Sequence, residues 1–517
     1  MARHRAGIGA DPAAADRDRR RFRPYRAGRA DDLRPDGSGR NLRGGAGPGR
    51  AQPAGQSGQR GAVLAADPDQ PCPDDHALRQ SHRRSATELM LDKSAPTGQA
   101  APMTDFADAA RAAAQAVRDL FEPTPLQLNA HLSDRFGAEI WLKREDLAPV
   151  RSYKIRGAFN AMRKRLAAEP GKTRFVCASA GNHAQGVAYA CAHFGCQGTI
   201  FMPVTTPEQK ITKTRIFGGD SVEIRLVGDF FDETLAAAQS FCAEQGAHFL
   251  SPFDDAHVIE GQASVAVEMV QQLGRAPDHL VLPVGGGGLS AGMISYLKAI
   301  GGLNRVTLVE PAGGPSLTAA LEAGEPVEVP ITDNFVDGAA VAKTGERTFA
   351  ALRDIDPKDV LLAPENRICV TIQEMLNVEG IVLEPAGALA VDVLGDIADQ
   401  IRGKTVVCVT SGGNFDFERL PEVKERAQNW QGLKKYFILR LPQRPGALRD
   451  FLDLLGPDDN ITRFEYLKKN SRNFGSVLIG IETEAAENFD PMIERVVARG
   501  FGFRDITNDE VLADFLI

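Results

Sequence analysis

The sequence predicts an α/β protein with an open parallel-sheet core, followed by a small C-terminal module of the order βαββαβ. From about residue 140 to 415, short β-rich runs alternate with helical patterns, which is typical of parallel strands covered by helices. After about residue 430 the pattern changes to the order of a ferredoxin-like sandwich. The chain therefore divides into a large α/β part and a smaller, separate module.

Residues 1–102 differ in composition from the rest of the chain. Arg, Gly, Pro, Asp and Ala dominate there without aliphatic periodicity, so we predict a disordered segment or an extension upstream of the true start. A nucleic-acid tail and an organelle transit peptide are the alternatives, and abundant Asp argues against both. A helical pattern begins at Met103. Our hypothesis is that the working protein begins there, and N-terminal sequencing of the native protein would test it.

The large α/β part is predicted to occupy residues 103–427. Its repeating unit is a strand that runs into a helix, and ligands in such folds bind at the carboxyl ends of the strands. The clearest units are "RFVCASA" with "NHAQGVAYACAHFG", "GTIFMPV" with "PEQKITKTRIFGG", and "HLVLPVGGGG" with "LSAGMISYLKAIG".

The C-terminal module is predicted to occupy residues 433–517, after the polar stretch "EVKERAQNWQG". Its first strand is "YFILRL", and Pro445 is predicted to open the helix that follows. The module contains no cluster of titratable residues, which favours binding or regulation over chemistry. The remaining predicted elements are "ITRFEYLKK", "GSVLIGIET", "FDPMIERVVARG" and "FRDITND".

Composition favours small-molecule chemistry. A formal net charge of -8 offers no basic field for nucleic acid or an acidic membrane surface. No apolar run approaches the roughly 18 residues that suggest a membrane span, and a secretory signal is not found. The seven cysteines lack the spacing of a metal site, so we predict no metal, reduced thiols and a cytoplasmic location.

The loop "LPVGGGGLSAG" follows a predicted strand and opens a helix. Its backbone amides and the helix amino end suit a phosphate, and its glycines carry no Cβ that would block the approach. The candidate residues are Gly285, Gly286, Gly287, Gly288 and Leu289. A dinucleotide site and a simple turn remain open alternatives, although the spacing is not GxGxxG.

Two further strand ends run into polar, glycine-containing loops. In "CASAGNHAQG", Ser179, Gly181, Asn182 and His183 lie at a predicted helix start, where they could cap the helix or hold a carboxylate. In "VVCVTSGGN", Ser411 begins the loop. The three loops could meet in one crevice.

Lys154 in "RSYKIRGA" would be read as a solvated charge if it stood alone. Together with a phosphate site and a carboxylate site, it completes the set of groups that pyridoxal phosphate requires. The following residues, Arg156 and Gly157, are predicted only to pack.

These motifs resemble a known family. "RSYKIRGA", "SAGNHAQG", "GGGGL", "LEPAGA" and "TSGGN" resemble, in order and spacing, pyridoxal-phosphate enzymes of the tryptophan synthase β-subunit fold type (fold type II). Within that group they closely resemble the threonine dehydratases, and the resemblance covers about residues 115 to 517. The tail, with "YFILRLPQRPGALRDFL", resembles the ACT-like regulatory domain of the biosynthetic enzyme in its form with one such domain.

The resemblance implies a role for each motif. Lys154 would form a Schiff base with the cofactor and act as the base at Cα; Asn182 would bond the ring hydroxyl oxygen. Gly285 to Leu289 would bind the phosphate, and Ser411 would meet the pyridine nitrogen. The substrate carboxylate would lie on Ser179 and the amides from Gly181 to His183. The sequence leaves open whether Glu384 in "LEPAGA" faces the cofactor ring or only favours its helix start.

The resemblance also implies the activity and its control. The expected reaction converts L-threonine to 2-oxobutanoate and ammonia, and L-serine to pyruvate, as the first step of isoleucine biosynthesis. Isoleucine is the expected inhibitor, valine a possible opponent, and a homotetramer the expected assembly. A serine racemase is an alternative, but family racemases carry a serine where this sequence has Ala180. The second alternative is an amino-acid sensor that has no catalytic activity.

Overall fold

The computed structural model describes residues 103–467 and 473–509. The predictions for residues 1–102 lie outside this part of the chain. Within it, no helix is long and apolar enough to cross a membrane.

The helices and strands are numbered in chain order. The strands are β1 (Leu126–Leu128), β2 (Glu139–Arg144), β3 (Arg174–Ala178), β4 (Gln197–Met202), β5 (Val222–Leu226), β6 (His248–Phe249), β7 (His279–Pro283), β8 (Arg305–Pro311), β9 (Val360–Ala363), β10 (Thr405–Thr410), β11 (Lys434–Pro442), β12 (Asn460–Leu467), β13 (Phe474–Glu482) and β14 (Gly502–Asp505). The helices are α1 (Met103–Val117), α2 (Ala130–Phe136), α3 (Lys154–Ala168), α4 (Asn182–Phe194), α5 (Glu208–Gly218), α6 (Phe231–Glu244), α7 (Ala256–Leu273), α8 (Gly288–Ala299), α9 (Ser316–Ala323), α10 (Glu346–Leu352), α11 (Glu365–Glu379), α12 (Pro385–Asp392), α13 (Ala398–Ile401), α14 (Leu420–Trp430), α15 (Ala447–Leu452) and α16 (Phe489–Ala498).

The larger of two core sheets has the strand order β1-β2-β10-β7-β8-β9. Its strands pair in parallel except for β1, which is antiparallel to β2. All six residues of β10 are buried, as expected for a strand covered on both faces. Strands β2, β10 and β7 are neighbours, so the loops that follow them lie side by side at one edge of the sheet.

A second parallel sheet has the order β5-β4-β3-β6. Strand β3 runs into residues 179–182, called here the "SAGN" loop, and β6 runs into residues 251–254. Two parallel sheets flanked by helices confirm the predicted α/β core.

The C-terminal sheet is antiparallel, with the order β12-β13-β11-β14. Helices α15 and α16 bury Phe451 and Phe489 in a core with Phe437 and Ile479, which confirms the βαββαβ module. The helix predicted from Pro445 begins instead at Ala447, because Gly446 adopts the left-handed conformation with φ +81°.

The polar stretch between the two parts of the chain is helix α14. Its apolar residues Val423 and Ala427 are fully buried in the core around the larger sheet. Its other face contacts strand β11, where Tyr436 Oη donates to Glu425 Oε1 at 2.6 Å. Helix α14 therefore packs against both the larger sheet and the C-terminal sheet.

Candidate active site

The loops after β2 and β10 are joined by backbone contacts. Ser152 and Gly412 form an isolated antiparallel bridge, and the amide of Tyr153 donates to the carbonyl of Ser411 at 3.2 Å. Arg151 is the only non-glycine residue with positive φ, 59°, in the described ranges. These contacts bring the loops that carry Lys154 and Ser411 close together.

Lys154 is the first residue of α3 and is half-buried. Its Nζ donates to the carbonyl of Pro252 at 3.0 Å, which brings the end of β6 to the site. Burial lowers the pKa of Lys154 to about 8, although the charge of Glu384 opposes the shift. A larger fraction of neutral amine near neutral pH suits an amine that must act as a nucleophile or a base.

Glycine residues let the helices around Lys154 approach closely. A Cβ atom on Gly186 of α4 would lie 3.1 Å from the backbone N and Cα of Ile155 and 3.2 Å from the carbonyl carbon of Lys154. Gly157 and Gly261 meet in the same way, since a Cβ on Gly261 would lie 2.7 Å from the Cα of Gly157. The packing role predicted for Gly157 is therefore accounted for, and Gly186 fixes the backbone of Lys154.

Substitution of Gly186 by Ala should displace the start of α3 by pressing on backbone that cannot yield like a flexible side chain. Because a displacement of about 1 Å at a reacting group can reduce turnover about 100-fold, we expect a loss of that order in kcat for the substrate. Steady-state kinetics would measure it. Gly195→Ala, at an open position with φ +63°, is the control, and an equal loss of kcat there would contradict this account.

The glycine loop has the geometry of an anion cradle. Gly287 has φ +87°, and a Cβ on Gly286 would lie 2.2 Å from the ring of Phe253. In the described ranges, no residue accepts a hydrogen bond from the amides of Gly285, Gly286 or Gly287. These amides stand at the amino end of α8 and suit a phosphate.

Asn182 is held from both sides by side chains of the larger part of the core. Asn414 Nδ2 donates to its Oδ1 at 2.7 Å, and its Nδ2 donates to Glu384 Oε1 at 2.6 Å. This fixes which end of the amide donates. Asn182 can therefore present one remaining N–H to an oxygen on a ligand.

Glu384 precedes α12 but its side chain makes no capping hydrogen bond. It points toward Asn182, and a Cβ on Gly412 would lie 1.9 Å from its Oε1. Burial, followed by the charge of Asp337, raises the pKa of Glu384 to about 7, against the opposing effects of Asn182, Lys210 and Lys213. Of the two interpretations that the sequence leaves open, the structure favours the one in which the carboxyl group lies in the site.

The raised pKa of Glu384 predicts a pH-dependent loss of stability. Since the folded protein binds this proton more tightly than the unfolded chain, whose ordinary value is 4.5, stability falls as pH rises from about 4.5 to 7 and stays lower above that range. In Glu384→Gln, the decrease in the free energy of unfolding over this pH range should be smaller by about 2 to 4 kcal/mol. Urea unfolding of cofactor-free protein across this range would measure it, with exposed Glu325→Gln as control. Equal slopes for wild type and Glu384→Gln would refute the assignment.

The "SAGN" loop lies at the amino end of α4. The amide of Gly181 donates to Ser179 Oγ at 3.2 Å, and a Cβ on Gly181 would meet no atom within 4 Å. No residue of the described ranges accepts from the amides of Asn182 or His183. These two amides, rather than that of Gly181, are available to an anion.

The imidazole of His183 contacts the segment after β6. It is buried, and its Nε2 donates to the carbonyl of Leu250 at 3.0 Å. Burial lowers its pKa to about 3, so the ring is neutral. The side chain anchors the segment after β6 that carries Pro252, while the backbone amide of His183 stays available to a ligand.

Ser411 is buried, and its Oγ donates to the carbonyl of Ala386 at 3.1 Å. The neighbouring Tyr153 contacts its carbonyl, as described above. A hydroxyl held in this way can accept a hydrogen bond but does not carry a negative charge.

Pro252 and Phe253 could not be identified from the sequence. Pro252 acts through its carbonyl and Phe253 through its bulk against the glycine loop, so neither has the signature of a catalytic motif. The one available signal is their position at the carboxyl end of a parallel strand.

A buried ion network lies beneath α3. Arg156 donates to Glu145 Oε2 at 2.7 Å and to Glu268 Oε1 at 2.8 Å, and Lys143 Nζ donates to Glu268 Oε2 at 2.8 Å. All four side chains are completely buried. Burial alone would raise the pKa of Glu268, but Arg156 and Lys143 lower it to about 2. Arg156 therefore does more than pack.

The site fits pyridoxal phosphate. Unpartnered amides of the glycine loop suit its phosphate, Asn182 has an N–H that could donate to its ring hydroxyl oxygen, and Lys154 supplies a primary amine. Residues 117–412 match the family model of the pyridoxal-phosphate dependent enzymes. The chain is a pyridoxal-phosphate dependent enzyme of fold type II.

Individual relatives show which pyridoxal-phosphate dependent enzymes the chain resembles most specifically. The biosynthetic L-threonine dehydratase of Bacillus subtilis is 48% identical over 404 residues, which cover 78% of this chain and 95% of the relative. Residues 425–516 match the model of the C-terminal regulatory domain of threonine dehydratase. The chain belongs to the biosynthetic threonine dehydratase family.

Solved structures agree with this assignment. The processed form of threonine deaminase isoform 2 from Solanum lycopersicum is 37% identical with a TM-score of 0.59, covering 64% of this chain and 89% of that one. A threonine deaminase from T.th. is 32% identical with a TM-score of 0.55, covering 60% of this chain and 98% of that one.

Proposed function

We propose that the protein deaminates L-threonine to 2-oxobutanoate and ammonia in the biosynthesis of isoleucine, and that the C-terminal domain regulates it. The proposal is supported by the contacts that join Lys154 to the glycine loop and to the loop of Ser411. The Lys154 amine donates to Pro252, the adjoining Phe253 packs against Gly286, and Tyr153 donates to Ser411. The names of the relatives, which specify L-threonine and biosynthesis, support the substrate and the pathway.

The reaction involves no net oxidation or reduction. The Cα–H and Cβ–O bonds of threonine break, the hydroxyl group leaves as water, and hydrolysis of the resulting enamine releases ammonia and the 2-oxo acid. When bound, pyridoxal phosphate withdraws electrons from the Cα–H bond of an attached amino acid. The chain must therefore supply a base at Cα, a site for the carboxylate and a path for the leaving hydroxyl.

Lys154 is proposed as the residue that holds the cofactor and takes the Cα proton. Its lowered pKa, caused by burial, leaves neutral amine available near neutral pH. The Pro252 carbonyl accepts from its Nζ and so restricts where the amine points. The tight contact of Gly186 holds its backbone.

The remaining roles follow the direction of each hydrogen-bonding group. Gly285 to Leu289 bind the phosphate, and Asn182 donates to the ring oxygen. The amides of Asn182 and His183, with Ser179 beside them, bind the substrate carboxylate. Ser411 is proposed to face the pyridine nitrogen, and its hydroxyl would turn from the Ala386 carbonyl to donate to that nitrogen. A neutral hydroxyl favours elimination over transamination because it does not hold a proton on the nitrogen as a carboxylate would.

The C-terminal domain is proposed to bind isoleucine as inhibitor, with valine as a possible opponent, in a homotetramer. We place the catalytic domain at residues 103–427 and the regulatory domain at 433–517. The described cysteines are all free and buried, which supports a reducing compartment, and we propose the cytoplasm.

A racemase is the nearest alternative activity. Racemisation needs a group on the opposite face of Cα, and Ala180 offers none where family racemases carry serine. Chiral analysis of serine recovered after incubation should therefore show little D-serine. Accumulation of D-serine would favour the racemase.

The proposed function is tested by following 2-oxobutanoate from L-threonine with and without L-isoleucine. We expect turnover that isoleucine reduces. A protein that binds isoleucine but leaves threonine unchanged would be a sensor, and turnover insensitive to isoleucine would refute the proposed effector alone.

A further inference from the structure

Residues 333–339, called here the 333–339 segment, contact a clamp of two arginines, Arg419 directly before helix α14 and Arg426 within it. The ring of Phe335, which is 2% exposed, has the guanidinium carbons of Arg419 and Arg426 at 4.5 and 4.7 Å from its centroid. Arg419 also donates to the carbonyl of Phe335 at 3.2 Å, and Arg426 to Asp333 Oδ2 at 2.8 Å. The segment cannot move independently of α14 without breaking these contacts.

The other end of the same segment reaches the active site. A Cβ on Gly285, the first residue of the glycine loop, would lie 3.0 Å from the Cα of Ala339. Asp337 forms an ion pair with Lys210 of α5, which belongs to the helices around the second parallel sheet. The segment thus contacts the glycine loop at Gly285 and helix α5 at Lys210.

The opposite face of α14 is bound to the C-terminal sheet. Glu425 accepts from Tyr436 Oη at 2.6 Å and pairs with Lys434 of β11. Gln428 Nε2 donates to Glu482 Oε2 of β13 at 3.1 Å. One rigid helix therefore carries contacts to the C-terminal sheet on one face and to the 333–339 segment on the other.

We propose that the 333–339 segment positions the glycine loop, with Phe335 as the positioning residue, and that α14 transmits displacements of the C-terminal sheet to it. Close packing makes this a mechanical link, because a buried aromatic ring with two guanidinium carbons 4.5 and 4.7 Å from its centroid has little space to move. The regulatory half of the inference rests on the proposed function. The positioning half rests on the contacts alone.

A double-mutant cycle tests the link in the full-length protein. Tyr436→Phe removes one hydrogen bond at the C-terminal sheet, and Phe335→Leu loosens the clamp. The readout is the dissociation constant of pyridoxal 5'-phosphate, titrated by absorbance. We expect each substitution to weaken binding about threefold to tenfold, and the double variant to fall clearly short of the product of the two changes.

Phe136→Leu provides a matched control. Phe136 is buried in the same hydrophobic cluster as Phe335 and lies under Arg135, 5.1 Å from its guanidinium carbon, but it precedes β2 at the opposite end of the sheet. The factors by which Phe136→Leu and Tyr436→Phe each change the dissociation constant of pyridoxal 5'-phosphate should multiply in the double variant. If the effects of Phe335→Leu and Tyr436→Phe on cofactor binding also multiply, the inference is overturned. Should Phe335→Leu fail to fold, Asp333→Asn, which removes the charge that pairs with Arg426, takes its place in the cycle.

A second readout separates this inference from the proposed function. L-Isoleucine should change the KM for threonine by a smaller factor in Phe335→Leu than in wild type and Phe136→Leu. An equal factor in all three proteins would overturn the regulatory half. Absence of threonine turnover in wild type would contradict the proposed activity, and absence of an isoleucine effect would contradict the proposed effector alone. In either case the cofactor cycle would still decide the positioning half.

Discussion

Replacement of Lys154 by Ala should abolish threonine deamination, with kcat falling about 10⁴-fold. In the proposed mechanism the substitution removes both the covalent attachment of the cofactor and the base at Cα, and no other described amine donates to the Pro252 carbonyl. The long-wavelength absorbance of the attached cofactor should disappear as well. The glycine loop stays intact, so the variant should still bind the cofactor noncovalently.

The fold should tolerate this change, because Lys154 is a half-buried cation whose burial is unfavourable. Lys164→Ala is the control: Lys164 lies on the same helix and pairs with Glu260 at 2.5 Å. It should keep nearly full turnover and absorbance. Substantial turnover in Lys154→Ala, or a similar loss in Lys164→Ala, would rule out the assigned role.

Substitution of Arg156 by Met should lower the free energy of unfolding by about 3 to 5 kcal/mol. Arg156 makes two hydrogen bonds to each of Glu145 and Glu268. Without it both carboxylates stay buried with too few partners, and an unpaired buried charge is far more costly than a missing surface pair. The midpoint of urea unfolding, with its slope, would measure the loss.

Arg118→Met is the matched control for Arg156. Arg118 contacts the same Glu268 at 3.0 Å, but its side chain is 24% exposed, so its removal should cost about 1 kcal/mol or less. Equal losses for the two variants would show that burial of the network does not determine its stability.

The order of elements was predictable because each core strand is short, apolar and followed by a helical pattern. The βαββαβ order of the C-terminal module was predictable for the same reason. The neighbourhood of β2, β10 and β7 was not, since strands far apart in the chain pair in an order that no local pattern encodes. That neighbourhood is what brings Lys154, Ser411 and the glycine loop together.

The residues of the candidate site also fall into those that the sequence predicts and those that it does not. Lys154, Asn182 and the glycines carry recognisable motifs, and the structure connects them through Pro252, Phe253 and Glu384, while their individual roles remain predictions. Pro252 acts through a carbonyl, which any residue could supply. The buried state of Arg156 depends on Glu268, from a helix that local sequence does not connect with it. The orientation of Glu384 follows from its packing against Gly412 and could not be chosen from its position before α12.

The attachment site of the cofactor tests the central claim most directly. Purified protein would be reduced with borohydride in the presence of pyridoxal phosphate, digested and analysed by peptide mass spectrometry. The account predicts a pyridoxyl group on the peptide that contains Lys154. Its presence on another lysine, or on none, would contradict the assignment of this crevice as the active site.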